Sequence, residues 1–267
     1  MLSKGIALFR RRVWAHYKKH GRHDLPWRKT YDPYKILVSE VMLQQTQVDR
    51  VIPFYVAFIR KYPTARRLAI APLSEVLKAW QGLGYNRRAK LLREASKYLA
   101  TTALSGTRLN LVEKLEELPG VGPYTARAVA AFAFNQDVVF VETNIRTAVI
   151  HHFFMKKEKV ADRDIEKILQ EALPEGRARE WYSALMDYGT HLKRSGVKVN
   201  IKSNQYMKQT TFEGSLRQAR GAILKALTAG KPLASIKKDF PERLDAALVA
   251  LNKEGLIRKK YRTWVLG

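Results

Sequence analysis

Between residues 3 and 193 the apolar side chains recur every three or four positions and almost never alternate. Spacing of that kind puts one apolar stripe along each segment. With no sheet to pack on, the stripe is buried only against other helices. The first stripe runs over residues 3–20 through Ile6, Leu8, Phe9, Val13 and Trp14. After the proline-rich connection HDLPWRKTYDPY, a long apolar helix is predicted from Asp32-Pro33 through Val51, with Pro53 marking a new start or a kink. Further helices are predicted from about Leu73 to the glycines Gly82 and Gly84, over NRRAKLLREASKYLATTA, on either side of LPGVG, and over 142–154, 163–173 and 178–193. The expectation for residues 1–192 is an all-α domain of about ten helices joined by short loops.

Residues 193–212 break this pattern. They are polar and basic, with one short alternating piece at Val197, Val199 and Ile201, and are expected to be a linker or long loop. Residues 213–267 look like a separate small unit, with helices over SLRQARGAILKAL, PLASIKKDF and PERLDAALVALNKEGLI and then strand character in IRKKYRTWVLG. Three helices followed by a hairpin fit a winged-helix-like module, a type that binds either DNA or protein.

Charge narrows the partners. Forty-nine Lys and Arg stand against 24 Asp and Glu, a formal charge of +25. An excess that large calls for a polyanion, with nucleic acid first and an anionic membrane surface or ribosomal association behind it. No run approaches the length of a membrane-spanning helix, and the basic N-terminus lacks the apolar stretch and cleavage site of a secretory signal. A cytoplasmic, nucleoid-associated monomer is the expectation. The chain has no cysteine. That removes disulfides, thiol nucleophiles, thiolate zinc sites and thiolate-held iron–sulfur clusters. The six histidines form no HExxH pair, so no metal and no cofactor is expected.

Two stretches carry chemistry. In LPGVG, Gly120 and Gly122 allow a tight turn and a close backbone approach, and Pro123 suits the first turn of the next helix. That helix start would turn its amides and positive dipole end toward a phosphate, contacted by Gly120, Val121, Gly122 and Thr125; a plain corner between helices is the competing reading. In SEVMLQQTQ, Glu40 stands beside Val38, Val41 and Leu43 and just ahead of Gln44, Gln45 and Gln47. A carboxyl in an apolar setting holds its proton to higher pH and can serve as an acid. A helix-surface glutamate is the ordinary alternative.

The motifs LPWR, DPYKILVSEVMLQQTQV, VIPFY, KAWQGLGY, LPGVGPYTA and MDYG, in this order, resemble the helix-hairpin-helix DNA glycosylases, and among them the adenine glycosylases of the MutY type. The resemblance covers roughly residues 5–192. It implies a helical fold that binds double-stranded DNA at a mismatch or lesion, flips a base and breaks its N-glycosidic bond. It implies that Glu40 is the acid at N7 of adenine. It places a second carboxylate, which would stabilise an oxocarbenium-like sugar, at Glu142, where the family has aspartate; a helix N-terminal acid is the other reading. Asn144 matches a neighbour that holds the acid or a phosphate. Tyr124 stands where lyase-active relatives carry a Schiff-base lysine, so a monofunctional glycosylase is implied. Gln45 and Tyr85 match intercalating residues, and Leu25, Trp27, Arg28 and Asp187 match positions near the base pocket, although Asp187 reads equally well as a helix-packing acid. Most relatives carry a four-cysteine cluster loop where HLKRSGVKVNIKSNQYMKQ stands here, and many carry a C-terminal 8-oxoguanine-reading domain where this chain has its small module.

The leading expectation is removal of adenine opposite 8-oxoguanine or guanine. The alternatives are a thymine or uracil mismatch glycosylase and a catalytically idle protein that binds mismatches.

Overall fold

The computed structural model describes residues 2–101, 110–206, 211–261 and 263–267. The chain is mostly helical, and its contacts divide it into two units.

The first unit comprises Met1–Leu37, Thr107–Glu117 and Val121–Lys208. Helix α1 (Leu2–His20) buries Ile6, Phe9, Val13 and Tyr17, and its last turn carries Lys18 and Lys19, cations that suit the negative end of its dipole. A 3-10 turn, Pro26–Lys29, follows. Helix α2 (Pro33–Leu43) starts in this unit and ends in the other. Helices α7 (Leu111–Glu116) and α8 (Pro123–Phe134) flank the glycine turn, and the Arg127 guanidinium sits 3.2 Å from Glu116. Five alanines of α8 are buried, which lets its neighbours pack close to its backbone. Helices α9 (Thr143–Phe153), α10 (Asp162–Ala172) and α11 (Ala178–Arg194) complete the core, in which Phe9 meets Trp181 edge-on at 5.9 Å and Phe140 stacks on Tyr182 at 4.0 Å.

The stretch after α11 is not strung out. Residues Val199–Lys202 form a second 3-10 turn that buries Val199. The Thr147 hydroxyl lies 3.1 Å from Asn200 Oδ1, and the Val160 amide donates to the Lys202 carbonyl at 2.8 Å. No group of three or more His, Asp or Glu among the described residues could hold a metal ion. With no thiolate in the chain, a thiolate-ligated cluster does not fit this segment.

The second unit comprises Val38–Gly106, Leu118–Gly120 and Gln209–Gly267. It holds the end of α2, then α3 (Val48–Lys61), α4 (Ala65–Ile70), α5 (Leu73–Trp80) and α6 (Arg87–Thr101). Phe58 and Trp80 meet edge-on at 5.7 Å in its core. Helices α12 (Leu216–Thr228), α13 (Ala234–Asp239) and α14 (Leu244–Lys253) lead into strands β1 (Ile257–Lys260) and β2 (Thr263–Leu266). The strands pair antiparallel, Ile257 opposite Leu266 and Lys260 opposite Thr263. The Ser215 side chain caps α12, accepting from the Gln218 amide at 3.2 Å.

One sequence expectation is corrected. The helix that opens at Pro33 does not run through Val51; it stops at Leu43, and α3 begins afresh at Val48. Pro53 lies inside α3, so the break falls among the glutamines and not at the proline. Gln45 takes a left-handed backbone, φ 55°, which no α-helix can continue through. The short helix α4 was not foreseen at all.

Candidate active site

Glu40 lies near the C-terminus of α2. It is 5% exposed, with Val38 and Met42 fully buried and Ser39 and Val41 nearly so. The polarity of the QQTQ stretch is kept outside: Gln45 and Gln47 are exposed. The acid and the glutamines are therefore separated by burial although they are neighbours in sequence.

Arg88 from the start of α6 holds the turn that ends α2. Its Nη1 donates to the carbonyls of Val41 at 2.7 Å, Met42 at 3.2 Å and Gln44 at 2.6 Å. Carbonyls at a helix C-terminus have no partner within the helix, and a cation there also opposes the dipole. The Nη2 of Arg88 donates to Gly84 O at 3.1 Å and more weakly to Leu83 O at 3.4 Å. Its guanidinium lies 5.5 Å over the Trp80 ring and 5.3 Å over the Tyr85 ring. Burial pushes the Arg88 pKa down to about 10, which still leaves it charged at neutral pH.

Tyr85 has φ 48°, so it and Gln45 are two of five non-glycine residues with a positive φ among the described residues. Each such conformation costs about 1–3 kcal/mol and persists only where neighbours enforce it. Here the enforcing neighbour is the same arginine for both. The Tyr85 hydroxyl accepts from Arg217 Nη1 at 2.6 Å. The two turns and α12 line a cleft of about 1460 Å³.

The glycine turn is built as close approach demands. Gly120 has φ 79°, and a Cβ there would meet the Leu91 side chain at 2.7 Å. Gly120 and Gly122 are exposed, whereas Val121 and Thr125 are 7% and 3% exposed. Val121 and Thr125 are therefore covered, and Gly120, Gly122 and Pro123 present the open surface of the turn. Tyr124 is half-buried and meets Phe140 edge-on at 5.7 Å.

In the first unit Glu142 is the N-cap of α9. Its Oε2 accepts from the Asn144 amide at 2.6 Å, and its Oε1 lies 3.3 Å from Asn144 Nδ2. Asn144 Oδ1 is buried without a hydrogen-bond partner. The backbone of Asn144 also explains the glycine of MDYG: a Cβ on Gly189 would collide with the Asn144 carbonyl, so α11 can touch the start of α9 only where there is no side chain.

Leu25 and Trp27 are buried at 7% and 8% exposure. Asp187 is 3% exposed and pairs with Arg28 and Arg22, the latter Nε at 2.6 Å. Burial raises the Asp187 pKa, but the hydrogen bond and charge of Arg28, with Arg22, outweigh it and hold the carboxyl below its usual range. Of the residues picked out in sequence, the structure thus places Gln45 and Tyr85 on one cleft of the second unit, the unit that also holds Glu40. In the first it brings together Glu142 with Asn144, and Arg28 with Asp187.

Residues 38–175 match the family described as HhH-GPD superfamily base excision DNA repair protein. The chain belongs to that superfamily. It is similar to an adenine DNA glycosylase of Mycolicibacterium smegmatis, 35% identical over 90% of this chain and 89% of the relative. It is also similar to adenine DNA glycosylases of Mycobacterium tuberculosis (41% identical, 66% of this chain, 58% of the relative) and Homo sapiens (40%, 52% and 27%). The chain thus spans little more than half the length of several relatives it matches. Among solved structures, a thermostable thymine-DNA glycosylase superposes with a TM-score of 0.59 at 26% identity, over 70% of this chain and 86% of that one. A DNA-trapped endonuclease III superposes at 0.58 and 21% identity, over 73% and 88%, a likeness of fold.

Sequence reasoning passed over the residue that shapes this HhH-GPD site most. Arg88 sits in NRRAK and reads as one more cation on a solvated helix face. Its partners lie 44 to 47 positions upstream, so no local spacing announces them. Arg217 was missed for the same reason, 132 positions from Tyr85.

Proposed function

We propose that this protein is a monofunctional DNA glycosylase of base excision repair that removes adenine mispaired with 8-oxoguanine or guanine. The observation that carries this reading is Glu40, a glutamate only 5% exposed between the buried Val38, Val41 and Met42 near the end of α2, five positions ahead of the exposed Gln45. Relatives at 35–41% identity named adenine DNA glycosylase support the choice of base.

Breaking the bond between C1′ and N9 sends its electron pair to the purine, which is a poor leaving group as an anion. Glu40, protonated, donates to N7, and adenine departs neutral. The sugar is left electron-poor, and Glu142 is assigned the stabilising carboxylate. Water adds at C1′ and surrenders a proton, leaving an abasic site. Tyr124 offers no amine for an imine, so strand cleavage is not part of the reaction. Asn144 steadies Glu142 through its amide and side chain. Leu25 and Trp27 form pocket wall, braced by Arg28 and Asp187. Gln45 and Tyr85 enter the duplex, and Gly120, Val121, Gly122 and Thr125 bind a phosphate through backbone amides. The protein acts on duplex DNA as a monomer at the nucleoid, and no helix among the described residues is long and apolar enough to cross a membrane.

The likeness to a thymine-DNA glycosylase favours a second reading, release of thymine or uracil opposite guanine. A panel of duplexes carrying adenine, thymine or uracil against each partner, scored by alkaline cleavage, separates the two. Cleavage at adenine mispairs alone supports the first reading; cleavage at T:G or U:G alone replaces it with the second.

A further inference from the structure

Glu142 caps α9 and Arg146 stands four residues on, its amide donating to the Glu142 carbonyl at 2.7 Å. A glutamate one turn ahead of an arginine is a spacing at which the two side chains ordinarily pair. Here they do not. Glu142 makes no ion pair among the described residues; the Asn144 amide and side chain hold its carboxylate instead. In a chain with 49 Lys and Arg against 24 Asp and Glu, a carboxylate without a cation is the less expected outcome.

The Arg146 guanidinium goes to α10. Its Nε lies 3.0 Å from Asp162 Oδ1 and its Nη2 lies 2.8 Å from Oδ2, a two-pronged pair. Asp162 is fixed where it stands. It is the first residue of α10, where the helix dipole favours an acid. Two positions earlier the Val160 amide donates to the Lys202 carbonyl at 2.8 Å, and the Val160 carbonyl accepts from the Asn204 amide at 3.1 Å. Asp164, the other acid of that first turn, already faces Lys157 at 3.2 Å. Asp162 therefore holds the arginine from an anchored position, and no neighbouring acid of α10 stands free to replace it.

The chemistry assigned to Glu142 gives this pair its meaning. A carboxylate that stabilises a sugar turning positive acts through uncompensated charge. A guanidinium on it would cancel that charge and set one cation beside another.

We infer that Asp162 is a positioning residue for the reaction: by holding Arg146 it keeps Glu142 free of a cation and available to the sugar. The inference rests on the role given to Glu142 above. It also gives the segment after α11 a part in the chemistry, since that segment anchors the start of α10 through Val160.

Single-turnover excision tests it, with the full chain, a duplex carrying adenine opposite 8-oxoguanine, and a temperature well below every variant's melting point. Asp162→Asn should slow excision about 10-fold or more, because electrostatic stabilisation of the transition state is what is lost. Its affinity for the duplex should stay near wild type. Asp162→Glu, which can still take the guanidinium, should restore most of the rate. Adding Arg146→Met to Asp162→Asn should restore it too, because the cation that would occupy Glu142 is gone. A second readout needs no chemistry. The stability coupling between Glu142 and Arg146 comes from urea midpoints of Glu142→Gln, Arg146→Met and the two combined. It should be near zero with Asp162 present and favourable with Asp162→Asn. Wild-type excision by Asp162→Asn would overturn the inference. So would a double variant no faster than Asp162→Asn alone, or an absence of coupling once Asp162 is replaced. Wild-type excision by Glu142→Gln would instead count against the proposed reaction, and the coupling alone would then decide whether Asp162 holds the arginine away.

Discussion

The carboxylate of Asp187 receives both arms of the Arg28 guanidinium, Nη1 at 2.7 Å from Oδ2 and Nη2 at 3.0 Å from Oδ1. The same arginine donates to the Arg22 carbonyl at 3.1 Å and the Ser183 carbonyl at 3.2 Å, and the Arg22 amide donates to Asp187 at 2.8 Å. This knot ties the 3-10 turn that carries Trp27 to α11, and Arg179 of α11 adds a second tie through the Arg28 carbonyl at 2.8 Å.

Removing one partner of a buried, hydrogen-bonded pair leaves the other charge stranded. Asp187→Ala is expected to lower stability by about 3–5 kcal/mol, read as a shift in the urea midpoint. Because the Asp187 pKa is depressed in the folded state, its contribution is complete above the usual aspartate range, near 3.9, and is lost as pH falls through the lower folded value. The variant should therefore show a flatter acid limb than wild type.

Arg88→Met should cost on the order of 2–4 kcal/mol, since several carbonyls lose a charged donor at once. Arg88→Lys should recover little, because an ammonium cannot span both turns as a planar fork does. A lysine variant as stable as wild type would show that charge alone suffices.

Glu40→Gln should abolish base release while leaving affinity for an adenine mispair near wild type. Single-turnover excision and gel shift on the same duplex read the two separately, and wild-type turnover would remove Glu40 from the reaction.

Glu142→Asp should keep the N-cap of α9 and retain or raise excision, since aspartate caps a helix as well as any residue. Glu142→Ala should cost about 1 kcal/mol for the lost cap. It should also lose far more excision than that destabilisation explains. If excision merely tracks stability across the two variants, Glu142 is a cap and nothing more.

His152 stacks on Tyr188, with its Nε2 2.9 Å from the hydroxyl, and packs 5.1 Å from Phe9. Burial, with His151 and Arg12 nearby, holds its pKa down at about 4. The unfolded chain takes up this proton near pH 6.5 and the folded one does not. Stability is therefore expected to fall as pH drops from about 6.5 toward 4. His152→Phe should flatten that part of the pH–stability curve, measured by thermal unfolding across the range.

Much of this was legible from sequence because helices announce themselves locally. The stripe of Ile6, Phe9 and Val13 became a buried face of α1, and Gly120 with Pro123 marked the turn into α8. Glu40 stood out because an acid among apolar residues is chemically unusual, and its burial follows. What failed was anything set by a distant partner. The glutamines of QQTQ carry no breaker, so the end of α2 was invisible until Arg88 supplied the acceptors' donor from α6. The N-cap at Glu142 could be read in sequence, but its hold on Asn144 needed the side-chain geometry.

That Arg88 fastens both turns has a kinetic side. A protein that inspects many base pairs for each damaged one makes mostly brief, fruitless encounters. If Gln45 and Tyr85 had to be ordered afresh at each, every inspection would carry an entropic delay. On the proposed reading, their shapes are settled once, when the chain folds, and the two probes arrive at the duplex as a rigid pair of fingertips. The speed of searching is then a property of an arginine that never touches the base being sought.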